Sequence, residues 1–286
     1  MSKMKAHKRW DKGLVNLYEP VEGRKAQVAA FMSGSGTNVQ RVLEYEEMLG
    51  DKSPFHVSVI VTDRPKTSNA RKIWSEWTEK WGAGSIQFVA HDIKKFYAKR
   101  GERKVSIRTQ KGQEIREQYT KTLSAMLEDC TIDFAVFGGF VPLTNITDDF
   151  PCLNVHPGDL SHIVDGKKTL GGLHEVPIQA ALDEGLDYVR SSVILAVRYT
   201  GVGEDMDTGP LIALGPKMLI GDVKDAGTIQ DKLKEASDWK VLPIAVEEVA
   251  RGNVVVDFST NRVYHSKSGG TGIVIPQTTH IKDYLE

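Results

Sequence analysis

The chain has 286 residues and a formal net charge of −1; 40% of its residues are hydrophobic and 26% are charged. These values are typical of a soluble globular protein, and they favour binding neither to nucleic acid nor to an anionic membrane surface. Two cysteines are too few for a disulfide framework or a cysteine-built zinc site. No apolar signal sequence follows the basic N-terminus, and no run of apolar residues is long enough to span a membrane, so we expect a cytoplasmic protein.

The first half of the chain alternates between short apolar runs and helical periodicities. The helices are predicted to begin at Asn38, to cover 68–82, and to include the apolar positions of 115–127. The charged stretch 94–111 predicts an exposed surface insertion rather than a polyanion site. Buried strands are predicted at 26–32, 55–63, 85–92 and 132–140.

The second half contains further strand and helix patterns. The alternating order predicts an α/β fold with an open, mostly parallel, Rossmann-like sheet. Residues 26–258 are predicted to form a single domain, with an N-terminal extension at 1–25 and a C-terminal tail at 259–286. The remaining predicted elements are a strand at 152–158, a helix at 176–185, β-rich runs at 188–199 and 210–219, a helical pattern over 226–251 that Pro243 is expected to interrupt, and a strand at 253–258.

A glycine-rich turn, "SGSGTN", follows the first predicted strand. Gly34 and Gly36 allow the backbone to approach an anion closely, and the N–H groups of Ser35 to Thr37 at a helix N-terminus would point at it. The match to G-x-G-x-x-G is incomplete because residue 39 is Val, and no Gly-Lys-Ser/Thr follows. The turn could therefore hold a cofactor phosphate, a substrate phosphate or no ligand.

Two polar side chains alternate on the strand "LNVHPG". Asn154 and His156 are two residues apart, so they face the same side of that strand. An amide beside an imidazole suits acyl transfer, because the amide can stabilise an oxyanion while the imidazole moves a proton. A histidine satisfied within the protein structure is the alternative interpretation.

The segment "GEDMDTGP" brings two aspartates into a loop before a strand. Asp205 and Asp207 could bind a metal together with a histidine, but their spacing matches no common metal motif. A carboxylate in this place could instead orient a histidine and stabilise its cation.

Six motifs in order resemble the folate-dependent formyltransferase family, and within it the glycinamide ribonucleotide formyltransferases. The resemblance covers roughly residues 26–258 and implies the α/β fold of that family. The motifs are "FMSGSGTNVQ", "AVFGGFVPLT", "LNVHPGDL", "GLHEVPIQAALDEG", "DMDTGPLI" and "LPIAVEEVARGNV".

This resemblance implies an enzyme of purine biosynthesis that uses 10-formyltetrahydrofolate as co-substrate, acts on small molecules and needs no metal. Its catalytic trio would be Asn154, His156 and Asp207, which stabilise the tetrahedral oxyanion and move the proton. The acceptor would contact Pro157 and Asp238. At the position of Asp238 the family more often has a glutamate. The substrate phosphate would bind Gly34, Ser35, Gly36, Thr37 and Asn38. Backbone groups of Phe137, Gly138, Gly139, Phe140 and Val141 would bind the folate head.

The chain also departs from the family's pattern. The family carries "HPSLLP" and a short turn, whereas this chain has Gly158 in place of the serine and a longer loop after it. Because of this departure, two related activities remain as alternatives: hydrolysis of formyltetrahydrofolate, and formyl transfer to the amine of a sugar nucleotide. From other classes, a non-catalytic folate- or nucleotide-binding module and a dinucleotide-dependent oxidoreductase using Asp63 remain as alternatives. The sequence does not specify an oligomeric state.

Overall fold

The computed structural model describes residues 13–200 and 207–265. Asp205, one of the two aspartates considered as metal ligands, lies outside these residues. The described chain divides into two units. The first consists of residues 23–152 and 197–200, and the second consists of residues 13–22, 153–196 and 207–265.

The strands are short, as is usual for an α/β protein. In chain order they are β1 (Leu14–Asn16), β2 (Ala26–Met32), β3 (Phe55–Thr62), β4 (Gln87–Ala90), β5 (Phe134–Phe137), β6 (Cys152–His156), β7 (Ile163–Val164), β8 (Lys167–Lys168), β9 (Tyr188–Val189), β10 (Ser192–Leu195), β11 (Leu211–Leu214), β12 (Met218–Leu219), β13 (Val254–Asp257) and β14 (Arg262–His265).

The helices separate these strands. They are α1 (Thr37–Leu49), α2 (Ala70–Trp81), α3 (Ile93–Ala98), α4 (Gln110–Met126), α5 (Val176–Asp183), α6 (Ala226–Leu233) and α7 (Trp239–Ala250), with a π-helical segment at Lys234–Asp238 between the last two. No helix among the described residues combines the length and apolar character that crossing a bilayer requires.

The first unit contains a parallel sheet with the strand order β5-β2-β3-β4. Its central strands are continuous apolar runs, and the side chains of β2 from Val28 to Met32 are fully buried. Strands buried on both faces need such sequences, which is why they were predictable. Since the strands are parallel, their carboxyl ends share one edge, and Ser33, Asp63 and Gly138 follow three of them there.

Antiparallel pairing dominates the second unit. Strand β10 pairs with β6 and with β11, β13 pairs with β1 and β14, and β9 pairs with β12. The predicted fold class is a Rossmann-like α/β fold with a mostly parallel sheet. It is confirmed by the parallel strand order β5-β2-β3-β4 of the first unit and by the helices that connect those strands.

Two local expectations differ from the structure. The charged stretch 94–111 is not entirely loop, because α3 covers its start, with Asp92 accepting a hydrogen bond from the Lys95 N–H as N-cap. Pro243 does not end the helix it occupies: it lies inside α7, and the regular hydrogen bonding is instead interrupted in the π-helical segment before that helix.

The two predicted extensions each contain a strand that the sequence analysis did not identify. Strand β1 lies within 1–25, strand β14 lies within 259–286, and both pair with β13. Each is three or four residues long, which is too short for an alternating pattern to be recognised. The domain limits 26–258 stay a prediction.

A partly buried glutamate–histidine pair joins α1 to β3 in the first unit. Glu46 Oε1 lies 2.8 Å from Nδ1 of His56, while the other ring nitrogen lies 2.9 Å from the Ser85 carbonyl oxygen. The second carboxylate oxygen accepts from the Val57 N–H at 2.9 Å. The hydrogen bond to Glu46 is the main reason that the pKa of His56 is raised.

Replacing Glu46 by Gln is expected to destabilise the protein mainly at acidic pH. A histidine whose pKa is raised on folding adds stability that is fully present below its unfolded pKa of about 6.5 and is lost as the pH rises through the folded value. The expected loss below pH 6 is about 1.5 kcal/mol, the lower end for a charged hydrogen bond. Thermal unfolding between pH 5.5 and 9 measures it, and Glu47→Gln, which removes an exposed pair with Lys80, is the control. A Glu46→Gln deficit that does not shrink with rising pH contradicts the assignment.

Candidate active site

His156 and Asp207, two of the predicted catalytic residues, contact each other in the second unit. Oδ2 of Asp207 lies 3.4 Å from Nδ1 of His156, whose side chain is 3% exposed. The other ring nitrogen, Nε2, lies 2.7 Å from the carbonyl oxygen of Leu170. Both ring nitrogens therefore face acceptors, and only the imidazolium form can donate to both.

The segment 168–172 contacts this pair at every second residue. Lys168 Nζ donates to the backbone carbonyl of Asp207 at 3.0 Å. The Gly172 N–H donates to Oδ2 of the Asp207 side chain, also at 3.0 Å. The Leu170 carbonyl, between these two residues in the chain, accepts the hydrogen bond from His156 Nε2. Three groups of one short segment therefore contact the His–Asp pair: one side-chain ammonium, one carbonyl oxygen and one N–H.

Neighbouring groups stabilise the negative charge of the Asp207 carboxylate. Burial by itself raises the pKa of this carboxyl, but the hydrogen bond and charge of His156, the Gly172 N–H and the Lys168 ammonium together hold the pKa below its ordinary value. Burial also lowers the pKa of Lys168, and the carboxylate of Asp207 opposes that effect. Asp207 is therefore an ionised acceptor beside the imidazole at neutral pH.

Asn154 provides an amide on the same strand. It is half-buried in β6, two residues before His156, so both side chains project to the same side of the strand. Within residues 13–200 and 207–265, its side-chain amide has no hydrogen-bond partner, whereas His156 is fully engaged. A donor held on a strand and not used by the protein suits a negative charge that develops on a ligand.

The predicted phosphate-binding turn lies in the first unit. Gly36 is the N-cap of α1 with φ 72°, a left-handed conformation that disfavours any side chain. A Cβ there would also lie 2.3 Å from the Met32 methyl carbon and 2.7 Å from Ile73 Cδ1. The glycine is thus required both by the backbone and by the packing beneath the turn.

Asn69 fixes the carbonyl groups of this turn. Its N–H donates to the Gly34 oxygen at 3.0 Å, and its side-chain amide donates to the Ser35 oxygen at 3.3 Å. The N–H groups of Ser35, Gly36 and Thr37 donate to no atom of the described chain. They stand at the N-terminus of a 13-residue helix, and Gly34 and Ser35 are exposed, so the turn can accept an anion.

The predicted folate-binding segment, 137–141, packs directly against this turn. Ser33 donates its N–H to the Gly139 oxygen at 3.1 Å and accepts from the Val141 N–H at 2.9 Å through its hydroxyl. A Cβ on Gly138 would lie 2.8 Å from Cγ2 of Val39 in the first turn of α1. The two glycine-bearing segments are therefore neighbours at the carboxyl edge of the parallel sheet.

The aromatic side chains of 137–141 belong to the core. Phe137 and Phe140 are 8% and 9% exposed, and their rings pack edge-on to Phe31 at centroid distances of 5.4 and 5.2 Å. The backbone groups of this segment and the half-buried side chain of Val141 remain for a ligand, and binding of the folate head here stays a prediction.

A scan against protein-family models and a search of curated proteins find no match to this chain. Solved structures do match. Glycinamide ribonucleotide transformylase 1 from Symbiobacterium toebii has a TM-score of 0.61 and 19% identity over 85% of this chain and 94% of its own. Phosphoribosylglycinamide formyltransferase from Anaplasma phagocytophilum has a TM-score of 0.60 and 15% identity, over 86% of this chain and 97% of its own.

The chain has the fold of the folate-dependent formyltransferases. A formyltetrahydrofolate deformylase from Pseudomonas putida KT2440 has the same fold, with a TM-score of 0.54 and 14% identity over 85% of this chain and 71% of its own. The resemblance stated from the six motifs is thereby confirmed at the level of the fold.

Two residues expected to contact the acceptor in this formyltransferase fold have different surroundings. Pro157 is half-buried directly after His156 at the end of β6. Asp238 is 6% exposed at the end of the π-helical segment, and one of its carboxylate oxygens accepts from the hydroxyl of Ser191. Their contact with an acceptor stays a prediction.

Asp63, the acidic residue of the oxidoreductase alternative, is 1% exposed in the first unit. Its Oδ1 accepts from the Ser33 hydroxyl at 2.5 Å, and burial raises its pKa. The carboxylate is therefore part of the internal hydrogen bonding beside the glycine turn, and this arrangement gives no support to ribose binding by Asp63.

Lys168, Leu170 and Gly172 are residues of this site that the sequence analysis missed, and Lys168 is the one that contributes a side chain. Its position is set by a two-residue hairpin, in which β7 pairs with β8 and Asp165 and Gly166 have φ angles of 50° and 75°. The dipeptide Asp-Gly between two short strand-like segments is a strong signal for a β-hairpin. On that signal, this stretch could have been predicted as a hairpin and not as a loop. Among the described residues, no group of three or more His, Cys, Asp or Glu side chains could hold a metal ion.

Replacing Gly158 by Ser, the residue of the family's motif, is expected to disturb the His156 site. A Cβ at this position would lie 2.4 Å from the Leu170 oxygen and 2.7 Å from His156 Nε2, so the carbonyl has to move. Overpacking of this kind costs about 1–3 kcal/mol of folding stability. Urea unfolding of Gly158→Ser measures the loss. The comparison variant is Gly185→Ala in the same unit: its φ of 71° makes that substitution strained, but the added Cβ meets no neighbouring atom. Unchanged stability together with an unmoved Leu170 carbonyl in a crystal structure contradicts the expectation.

Proposed function

We propose that this protein transfers a formyl group from 10-formyltetrahydrofolate to the amine of a small phosphorylated acceptor, such as glycinamide ribonucleotide. The observation that carries the proposal is the half-buried Asn154 amide, with its donors unused, beside the His156–Asp207 pair in a formyltransferase fold. The exposed glycine turn at the N-terminus of α1 supports a phosphorylated acceptor.

In the proposed reaction, the acceptor amine attacks the formyl carbon and the carbonyl electron pair moves to oxygen. Asn154 donates a hydrogen bond to this oxyanion, and the positive charge of His156 stabilises it. When the tetrahedral intermediate collapses, the bond from carbon to the folate nitrogen breaks and that nitrogen takes a proton, while the former amine loses one. The products are a formamide and tetrahydrofolate.

His156 has to exchange one hydrogen bond to take part. Its side chain is 3% exposed and its Nε2–H is bound to the Leu170 carbonyl, so substrate contact requires that this carbonyl give way. Asp207 stays on Nδ1 throughout and orients the imidazole, as a carboxylate does in a catalytic triad.

Hydrolysis of 10-formyltetrahydrofolate is the second candidate, favoured by the deformylase among the structural neighbours. The same three residues could stabilise attack by water. Release of formate would then replace transfer to the amine.

The test is an assay of the full chain with 10-formyltetrahydrofolate, in the presence and absence of glycinamide ribonucleotide. Chromatography with mass detection follows tetrahydrofolate, formate and the formylated amine. Tetrahydrofolate that forms only with the acceptor, in equal amount to the formylated product, supports transfer. Tetrahydrofolate and formate in the absence of acceptor indicate hydrolysis. If neither appears with a panel of phosphorylated amines and sugar-nucleotide amines, the proposal is wrong.

A further inference from the structure

Lys168 donates hydrogen bonds to the backbone of the turn that carries Asp207. Its ammonium lies in a half-buried position and makes two hydrogen bonds, both to backbone carbonyls that flank the same turn, on Asp207 at 3.0 Å and on Gly209 at 3.3 Å. A charged group that leaves water needs such compensation, and these bonds supply it within the turn that carries Asp207.

Asp207 itself has a φ of 65°, the left-handed region that residues with a side chain seldom adopt. A backbone held in such a conformation persists only when surrounding contacts over-determine it. The two bonds from Lys168 fix the carbonyl of Asp207 and that of the residue two positions on. They therefore hold the turn from which the carboxylate reaches His156.

The position of Lys168 is in turn fixed by its hairpin. The two-residue turn at Asp165 and Gly166 has positive φ at both positions, the combination that matches the twist of the flanking strands. From there the chain runs on to Leu170 and Gly172, which contact His156 and the Asp207 carboxylate. The hairpin and the four residues that follow it thus make three contacts with the His–Asp pair.

We propose that Lys168 is a positioning residue for Asp207, holding the turn that aims its carboxylate at Nδ1 of His156. The inference rests on the proposed function for its kinetic consequence but not for its structural one. Since Lys168 Nζ touches backbone atoms and no reacting group, it acts through Asp207.

The kinetic test compares Lys168→Met, which keeps an unbranched side chain of nearly the same length but removes the ammonium, with Lys167→Met. Lys167 is the exposed neighbour on the same strand and serves as the matched control. We expect kcat of Lys168→Met to fall about 10- to 100-fold, by analogy with the loss of a hydrogen-bonded partner that orients a metal-binding side chain, with KM for 10-formyltetrahydrofolate changed by less than about threefold. Lys168→Arg, which retains the charge and the donors, is expected to recover part of that kcat. Wild-type kcat in Lys168→Met overturns the proposal.

A second measurement does not depend on activity. The ring ¹⁵N signals of His156, assigned with the His156→Gln variant, are expected to move in Lys168→Met and to stay in place in Lys167→Met. Unmoved signals in a folded Lys168→Met protein overturn the positioning role. If the signals move but the wild-type protein transfers no formyl group, the role of Lys168 stands and the proposed function fails.

Discussion

Replacing Asp207 by Asn is expected to lower the rate of formyl transfer by about 10²- to 10⁴-fold, the range for loss of a positioned acid–base group. The amide has nearly the shape of the carboxylate, so the contact 3.4 Å from Nδ1 of His156 can persist. Oδ2 of Asp207 accepts from the Gly172 N–H and also contacts Nδ1 of His156, so the amide oxygen takes this position in the variant. That oxygen carries no full negative charge, and the support that the carboxylate gives to a charged imidazole during the reaction is lost.

The measurement is kcat for the acceptor-dependent reaction, with Asp222→Asn as the control. Asp222 is exposed in the same unit, so its replacement removes one negative charge without touching His156. We expect the control to stay within about twofold of the wild type, as exposed charges contribute little. An Asp207→Asn enzyme with wild-type kcat would remove Asp207 from the mechanism.

Replacing Asn154 by Ala is expected to lower kcat by about 10²- to 10³-fold, the usual effect of removing one donor to an oxyanion. The amide makes no hydrogen bond within the described chain, so its loss leaves no buried partner unsatisfied and little effect on stability is expected. A large kinetic effect with unchanged thermal unfolding separates a catalytic role from a structural one.

Asn154→Asp is the sharper companion to that variant. It keeps the size of the side chain but replaces a donor by an acceptor, which repels a developing negative charge. We expect it to be at least as slow as Asn154→Ala. Gln179→Ala, the loss of an exposed amide on α5, serves as the control. If Asn154→Asp retains most of the activity, the side chain does not face the oxyanion.

Much of the fold was predictable because the parallel strands are buried on both faces. The apolar run at 26–32 coincides with β2, and β3 departs from the predicted 55–63 by one residue. The helix stripe at 68–82 is α2, where Ile73 and Trp77 are buried as core residues. Patterns of this length carry a clear periodicity, whereas β1 and β14 do not.

The candidate site was predictable in its residue types but not in its contacts. The alternation of Asn154 and His156 on a strand followed from sequence spacing, and the structure adds the contact of His156 with Asp207. The Leu170 carbonyl could not be found in this way, because a backbone oxygen leaves no mark in the sequence.

The contact between Gly158 and Leu170 constrains how such a chain could have arisen. A protein with a side chain at position 158 has no room for a carbonyl oxygen 2.4 Å from its Cβ. The position of the Leu170 carbonyl thus depends on the glycine, so the glycine had to be present before this loop conformation, or arrive with it. Transplanting residues 159–172 into a relative that has serine at the matching position should therefore fail alone and succeed only when that serine is also changed to glycine, a case of strong epistasis between two neighbouring segments.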